Sequence, residues 1–392
     1  MIEIRPGKIG NATVSVPGSK SYSHRVLIAA ALSDGVCNIE NVLESEDTLL
    51  TMACLRQMGV AVDSTDNGCT IRGRGGIFQA VENPIDLGNS GTSMRLLTAV
   101  AALGQGSYVL TGTSRMQQRP IQDLLDGLNQ LGVSAMSTRG NGCPPVKVTG
   151  GMLAGGNVSL DCHTSSQFLS ALLLVAPLAA DPVEITVNRG PVSRPYVDLT
   201  VQVMEDFGIQ LARDGYEHFT VPGGQIYCAG THYVEPDSSQ AGYFWAAAAI
   251  GGAAVKVKGT SRQSHQGDIR FTDILKKMGC EVRPEDDGIV VTGRPLTAVT
   301  VDMADMPDMV PTLAVVAAFA KGTTVIKNVA HLREKESDRL SAVATNLLKM
   351  GIDAICTSSG QIVEGGEPHD AEIETYNDHR IAMCFSVAGL VV

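Results

Sequence analysis

Five glycines set the period of this chain. Gly59, Gly132, Gly208, Gly279 and Gly351 lie 73, 76, 71 and 72 residues apart. Each closes an amphipathic run, as in Leu55-Arg56-Gln57-Met58-Gly59 and Ile274-Leu275-Lys276-Lys277-Met278-Gly279, and an apolar or β-branched residue follows. Glycine tolerates the left-handed backbone at a helix C-terminus, so each run reads as a helix with a glycine cap and a strand start behind it. A step this constant implies one supersecondary unit used repeatedly.

A second helix type precedes each of these. It opens with small polar residues and turns alanine- and leucine-rich, over 21–32, 90–103, 165–178, 238–250, 309–320 and 378–390. These six are apolar nearly all round and should be buried, leaving only their polar N-termini to face a site. Short β-rich runs lie between, such as 158–160, 183–187 and 288–291. The expected fold is therefore α/β (α+β), built from β-α-β-α-β-β units. Six first helices but five second ones are present. A further step of about 72 residues would run to roughly residue 423, whereas the sequence has 392. The sixth unit is expected to be incomplete in the sequence as given.

The formal net charge of −11 argues against a nucleic-acid surface or a polybasic membrane contact, so any cationic site must be local. Nine cysteines are scattered with no C-x-x-C pair, which fits reduced thiols in a cytosol better than a zinc or disulfide framework. The N-terminus lacks the apolar core of a signal peptide. No apolar run approaches a membrane span. The acidic cluster 44–47 reads as a solvated loop.

The local cations gather first at Pro17-Gly18-Ser19-Lys20-Ser21-Tyr22-Ser23-His24-Arg25. A strand-like run, 12–16, leads into it and an apolar helix follows. A helix N-terminus has unpartnered N–H groups and partial positive charge. Lys20 and Arg25 add full charges, and Ser21 lies one turn before Arg25. Two readings stand: a cradle for phosphate or carboxylate, or a capped helix with two exposed cations. It is not a P-loop, because Ser19 separates the glycine from the lysine.

Further motifs follow in order: Gly-Asn-Ser-Gly-Thr-Ser-Met-Arg at 88–95, Gln-Arg-Pro-Ile at 118–121, Ser-Ser-Gln-Phe-Leu-Ser-Ala at 165–171, Ser-Arg-Pro-Tyr at 193–196, Glu-Pro-Asp-Ser-Ser at 235–239, Met-Pro-Asp at 306–308, Lys-Glu-Ser-Asp-Arg-Leu at 335–340 and Asn-Asp-His-Arg at 377–380. With them the chain resembles the 5-enolpyruvylshikimate-3-phosphate synthase family, the 3-phosphoshikimate 1-carboxyvinyltransferases of aromatic biosynthesis. The resemblance runs from about residue 5 to the last residue. It implies two domains of three units each, an inside-out barrel of buried helices, with the substrates in a cleft between them. One domain would span 16–232 on the shikimate-phosphate side. The other would combine 1–15 with 233–392, as two complete units and a truncated third.

The resemblance also implies site residues. Lys20, Ser21, Arg25, Ser165, Ser166, Gln167, Ser193, Asp308 and Lys335 would bind shikimate 3-phosphate. Lys20, Gly91, Arg119, Gln167, Arg339 and Arg380 would bind phosphoenolpyruvate. Asp308 would take the proton of the 5-hydroxyl and Glu336 would protonate the methylene carbon, with Lys20 and His379 supporting the charges. For each residue alone the bland alternative is a cap or a surface cation: an N-cap for Asp308, a capping cluster for Glu336. Asp338 reads as structural. One helix end gives an anion about 0.3–1 kcal/mol, and a charge-assisted hydrogen bond roughly 1.5–3 kcal/mol, so arginine forks must supply most of the binding. No metal or organic cofactor is implied, and a monomer in the cytoplasm with small-molecule partners is expected.

Two departures stand out. A further phosphoenolpyruvate-binding lysine of the family would fall past residue 392, and His331 stands where many relatives carry Asn. The nearest enzyme rival, UDP-N-acetylglucosamine enolpyruvyl transferase, carries a reactive Cys a few residues before Arg-Pro, and residues 113–118 hold none. The rival of another class is a non-catalytic chain that binds only shikimate 3-phosphate. With Gly91 present, glyphosate is expected to compete with phosphoenolpyruvate.

Overall fold

A computed structural model describes residues 2–392. Its described residues form eleven α-helices: α1 Lys20–Leu32, α2 Glu46–Gln57, α3 Gly91–Ala101, α4 Gln122–Gln130, α5 Gln167–Val175, α6 Pro195–Asp206, α7 Ser238–Gly251, α8 Phe271–Lys277, α9 Val310–Ala318, α10 Arg339–Lys349 and α11 His379–Ala388. The odd-numbered helices are the six apolar ones and the even-numbered are the five closed by glycine.

All five closing glycines sit one residue past the C-cap, with φ between +78° and +114°. Behind each, the next residue donates its N–H five residues back: Val60 to Leu55 O, Val133 to Leu128 O, Ile209 to Met204 O, Cys280 to Leu275 O and Ile352 to Leu347 O, at 2.9–3.1 Å. Donor and acceptor residues are all buried, so the same motif satisfies the last carbonyls and turns the chain inward.

Among the described residues the strands make five four-stranded sheets of one topology. In each, a short strand runs parallel to the strand after the apolar helix, and an antiparallel hairpin completes the sheet. Ile85–Asp86, Gly106–Thr111, Val146–Gly150 and Ser134–Ser137 lie side by side in that order. Gly156–Asp161, Val183–Arg189, His218–Val221 and Ala212–Asp214 repeat it. Thr300–Asp302, Thr323–Lys327, Gln361–Glu364 and Ala354–Cys356 do so again. The parallel pair is the β-α-β half of the unit that the period implied.

Two sheets take their first strand from far away. Ala12–Val14 pairs with Ala254–Lys258, Thr13 opposite Lys256. Thr231–Tyr233 pairs with Val36–Glu40, His232 opposite Ile39. The contacts accordingly divide the chain into Gly18–Glu235 and a second unit, Pro236–Val392 with the segment up to Pro17. Each has its own apolar core. At the two passages between units, Ser19 N donates to Glu235 O at 2.8 Å and Asp237 N to Pro17 O at 2.9 Å.

The apolar helices are buried as their composition predicts: α1 from Tyr22 to Leu32, α5 from Phe168 to Val175, α9 throughout. Fully burying one Leu, Ile or Val side chain contributes about 1.5–3 kcal/mol. The helix expected over 309–320 is entered by a 3₁₀ turn, Pro307–Met309, and α9 ends by Ala318. No helix among the described residues is long and apolar enough to cross a membrane.

Candidate active site

In the Gly18–Glu235 unit the sequence-predicted residues cluster at the starts of α1, α3 and α5. Ser19 caps α1, its hydroxyl accepting from Tyr22 N at 3.4 Å. Lys20, the first helical residue, places Nζ 3.1 Å from Asp47 Oδ2. Asp47 is in the first turn of α2. The solvated reading of 44–47 holds for Glu44 and Glu46, which are exposed, but not for Asp47: its side chain is only 25% exposed, because α2 packs beside α1 and turns it toward Lys20.

Arg25 is fully interior. Its Nε donates to Thr200 Oγ1 at 2.7 Å, Nη1 to Ser21 O at 2.8 Å, and Nη2 to Ser170 Oγ and Tyr196 O at 3.2 and 3.1 Å. Four of its five N–H donors are thus held by neutral oxygens. Burial pushes the guanidinium down to about 10. A buried cation among hydroxyls and carbonyls is incomplete without an anion. The exposed-cation reading of Arg25 fails, because α6 and α5 close over it.

Ser165 and Ser166 are buried at the start of α5. Ser165 Oγ accepts from Gln167 N at 3.2 Å. The Gln167 amide is fixed at both ends: Arg95 Nη1 donates to Oε1 at 2.8 Å, and Nε2 donates to Thr92 Oγ1 at 2.9 Å. Ser193 is buried with φ +56°, the left-handed region that a non-glycine residue seldom occupies outside a constrained site.

Arg119 follows a 3₁₀ turn, Met116–Gln118, three residues before α4 rather than at its first turn. Its Nη1 donates to Asn89 O at 3.0 Å. A Cβ at Gly91 would lie 2.7 Å from Arg119 Cζ. Gly91 therefore makes room for this guanidinium.

In the Pro236–Val392 unit the predicted residues form one ion cluster. Arg339, the first residue of α10, donates from Nη1 to Asp308 Oδ1 (2.9 Å), from Nη2 to Glu336 Oε2 (2.7 Å) and from Nε to Asp378 Oδ2 (2.9 Å). Arg380, in the first turn of α11, donates from Nη2 to Asp308 Oδ2 at 2.7 Å. One carboxylate thus receives a guanidinium on each oxygen. Burial works against the Arg339 charge, but Glu336, Asp378 and Asp308 more than reverse this and raise its pKa. For Asp378 burial pushes up while the Arg339 charge and hydrogen bonds outweigh it, so its pKa is lowered.

The N-cap of α9 is Met309 rather than Asp308, while Glu336 pairs with Arg339 at the first residue of α10, the contact its capping-cluster alternative implies. Asp308 lies in the 3₁₀ turn before α9, one residue ahead of Met309. Asp338 caps α10, its Oδ1 accepting from Ser341 N at 3.1 Å, which is the structural role read for it. Lys335 lies just before Glu336 in extended backbone. Burial, then the Lys335 charge, push His331 down to about 3, leaving a neutral imidazole beside the cluster. His379 is about half exposed, with Nδ1 3.8 Å from Asp378 Oδ1. Among the described residues no three His, Cys, Asp or Glu side chains gather as metal ligands.

The family model for EPSP synthase (3-phosphoshikimate 1-carboxyvinyltransferase) matches residues 4–392. This chain belongs to the EPSP synthase family. It is 45% identical over 381 residues to a 3-phosphoshikimate 1-carboxyvinyltransferase of Shewanella sp. (strain ANA-3), covering 95% of this chain and 89% of that one. The relative of the same name from Shewanella pealeana is 44% identical over 393 residues, covering 98% and 92%. Among solved structures, the 2.37 Å EPSP synthase from Acinetobacter baumannii superposes with a TM-score of 0.83 at 33% identity, covering 99% of this chain and 91% of that one. These matches favour the EPSP synthase family over the UDP-N-acetylglucosamine rival.

Several residues around this EPSP synthase-family site were missed by the sequence reading. Asp47, Arg95 and Asp378 all lie within or beside motifs it quoted. Only Arg95 stood out, as a charge followed by the apolar run Leu96-Leu97; Asp47 and Asp378 lie among other polar and charged residues. Asp378 both caps α11, accepting from Arg380 N at 2.9 Å, and anchors Arg339.

Proposed function

We propose that this chain transfers the enolpyruvyl group of phosphoenolpyruvate to the 5-hydroxyl of shikimate 3-phosphate and releases inorganic phosphate. It would act in the shikimate pathway toward chorismate and the aromatic amino acids, in the cytoplasm. The observation that carries the reading is the Asp308 carboxylate bridged by Arg339 and Arg380, with Glu336 on the same Arg339. Base, acid and anion clamps are thereby assembled from three separate motifs.

The Gly18–Glu235 unit supplies the shikimate-phosphate ligands in this reading: Lys20, Ser21, Arg25, Ser165, Ser166, Gln167 and Ser193. Asp308 and Lys335 hold the ring hydroxyls and remaining charge. Lys20, Gly91, Arg119, Gln167, Arg339 and Arg380 receive phosphoenolpyruvate. The 5-hydroxyl oxygen bonds to C2 as Asp308 takes its proton, and Glu336 protonates C3, giving a tetrahedral intermediate. The C2–phosphate oxygen bond then breaks. C3 returns its proton to Glu336, and the hydroxyl proton leaves with phosphate. The protein positions the reactants and stabilises charge. Arg339 Nη2 donates to Glu336 Oε2 at 2.7 Å, which orients the carboxyl that exchanges the proton with C3. His379 tempers the charge around Asp378.

The test is phosphate release. The protein should liberate phosphate from phosphoenolpyruvate only with shikimate 3-phosphate present. Equal release with UDP-N-acetylglucosamine, or none with either acceptor, would overturn the proposal.

A further inference from the structure

Behind Arg380 a hydrogen-bond chain leads away from the reacting groups. Ser239 stands in the first turn of α7. Its Oγ accepts from Arg380 Nη2 at 3.4 Å and donates to Asp268 Oδ2. One turn further, Tyr243 OH accepts from Arg380 Nη1 at 3.5 Å. Asp268 is buried in the 3₁₀ turn Gly267–Arg270, before α8, and takes no part in the chemistry above. Two residues earlier, Gln266 accepts from Ser238 N on Oε1 at 3.0 Å and donates from Nε2 to Pro236 O at 2.9 Å. This turn thus fastens the start of α7 at successive residues.

A serine hydroxyl has one proton and two lone pairs. With the proton committed to Asp268, only lone pairs remain for the guanidinium. The bland role for a buried aspartate at a helix start is a cap. At α7, which Asp268 reaches through Ser239, that role is filled by Asp237, whose Oδ1 accepts from Gln240 N at 3.0 Å. We propose that Asp268 is a positioning residue: by accepting the Ser239 proton it turns the Ser239 lone pairs onto Arg380 and holds that guanidinium against Asp308, ready for an anionic ligand. The inference rests on the reading of Arg380 as a phosphoenolpyruvate clamp.

Burial first, then the charge of Asp308, push the Asp268 carboxyl up to about 7, with Arg380 and the Ser239 bond opposing and Asp237 adding to the rise. A neutral acceptor at this position is therefore tolerable, and asparagine keeps an oxygen that can take the Ser239 proton. Asp268→Ala should raise the KM for phosphoenolpyruvate about tenfold, the scale of one lost hydrogen bond. The KM for shikimate 3-phosphate should stay unchanged. Asp268→Asn should restore most of the loss, and Ser239→Ala should reproduce it. A crystal structure of Asp268→Ala should show the Arg380 guanidinium turned from Ser239, its contact with Asp308 lengthened. Should Asp268→Ala fail to fold, Ser239→Ala carries the same kinetic and structural comparison.

An unmoved Arg380 in the variant crystal, an unchanged phosphoenolpyruvate KM, or an asparagine variant as impaired as the alanine one would overturn the inference. A wild-type protein inert with both substrates would instead count against the enolpyruvyl-transfer reading. The crystal comparison would still decide the role of Asp268.

Discussion

Gly91 and Arg25 show what the structure adds to a motif. Gly91 has no left-handed backbone to explain it; what it supplies is space beside Arg119. Gly91→Ala should push that guanidinium off Asn89 O and weaken phosphoenolpyruvate binding. Loss of a charge-assisted hydrogen bond costs roughly 1.5–3 kcal/mol, so KM should rise at least about tenfold. Thermal stability should barely change, and the glyphosate inhibition expected to compete with phosphoenolpyruvate should weaken in parallel. An unaltered KM would show that Arg119 relaxes freely. Arg25→Met tests the other case. Its partners are neutral oxygens, so removing the guanidinium strands no opposite charge, and the desolvation cost it spares offsets the hydrogen bonds lost. The melting temperature should hold while calorimetry finds shikimate 3-phosphate binding at least about tenfold weaker. A large loss of stability with unchanged affinity would make Arg25 a brace only.

Helix ends carry the period, and their energetics are testable in isolation. At Gly132, φ is +84° and an added Cβ would meet only Ala154 Cβ at 3.7 Å. Gly132→Ala should therefore cost the backbone strain alone, about 1–2 kcal/mol, measured by denaturant unfolding. Gly132→Asn should cost less. At the other ends, α1, α2 and α3 are tied by a buried hydroxyl chain. His24 Nδ1 lies 2.9 Å from Thr51 Oγ1, Thr51 Oγ1 lies 2.8 Å from Ser93 Oγ, and Ser93 meets the α3 cap Ser90 at 2.7 Å. Burial pushes His24 down to about 3, with Lys20 and Arg25 lowering it further and Asp47 opposing. The unfolded chain then binds a proton below pH 6.5 that the folded one refuses until about pH 3. Stability from this group is full above pH 6.5 and is lost as the pH falls through that window. His24→Gln should flatten the acid limb of a melting-temperature profile; an identical slope would show His24 is not the sensor.

For the whole molecule, legibility in the sequence followed distance along the chain. The closing glycines were readable because a left-handed residue is a local demand, met within six residues. The apolar helices were readable because burial on all sides leaves only one kind of side chain. The partners were not. Arg25 meets Ser170 and Thr200, 145 and 175 residues away, and Asp268 meets Ser239 across 29. No periodicity encodes such pairings, and the resemblance supplied ligands without the groups behind them. Asp47 was misjudged for the same reason: an acidic run looks solvated until another helix is laid beside it.

The borrowed first strands bear on how the chain is made. Ala12–Val14 leaves the ribosome early, yet its parallel neighbour, Ala254–Lys258, is not yet synthesised. At typical translation speeds that wait is roughly 10–50 s. The nascent amino terminus must spend that time as an unmated edge, while the segment behind it, Gly18–Glu235, can already close on itself.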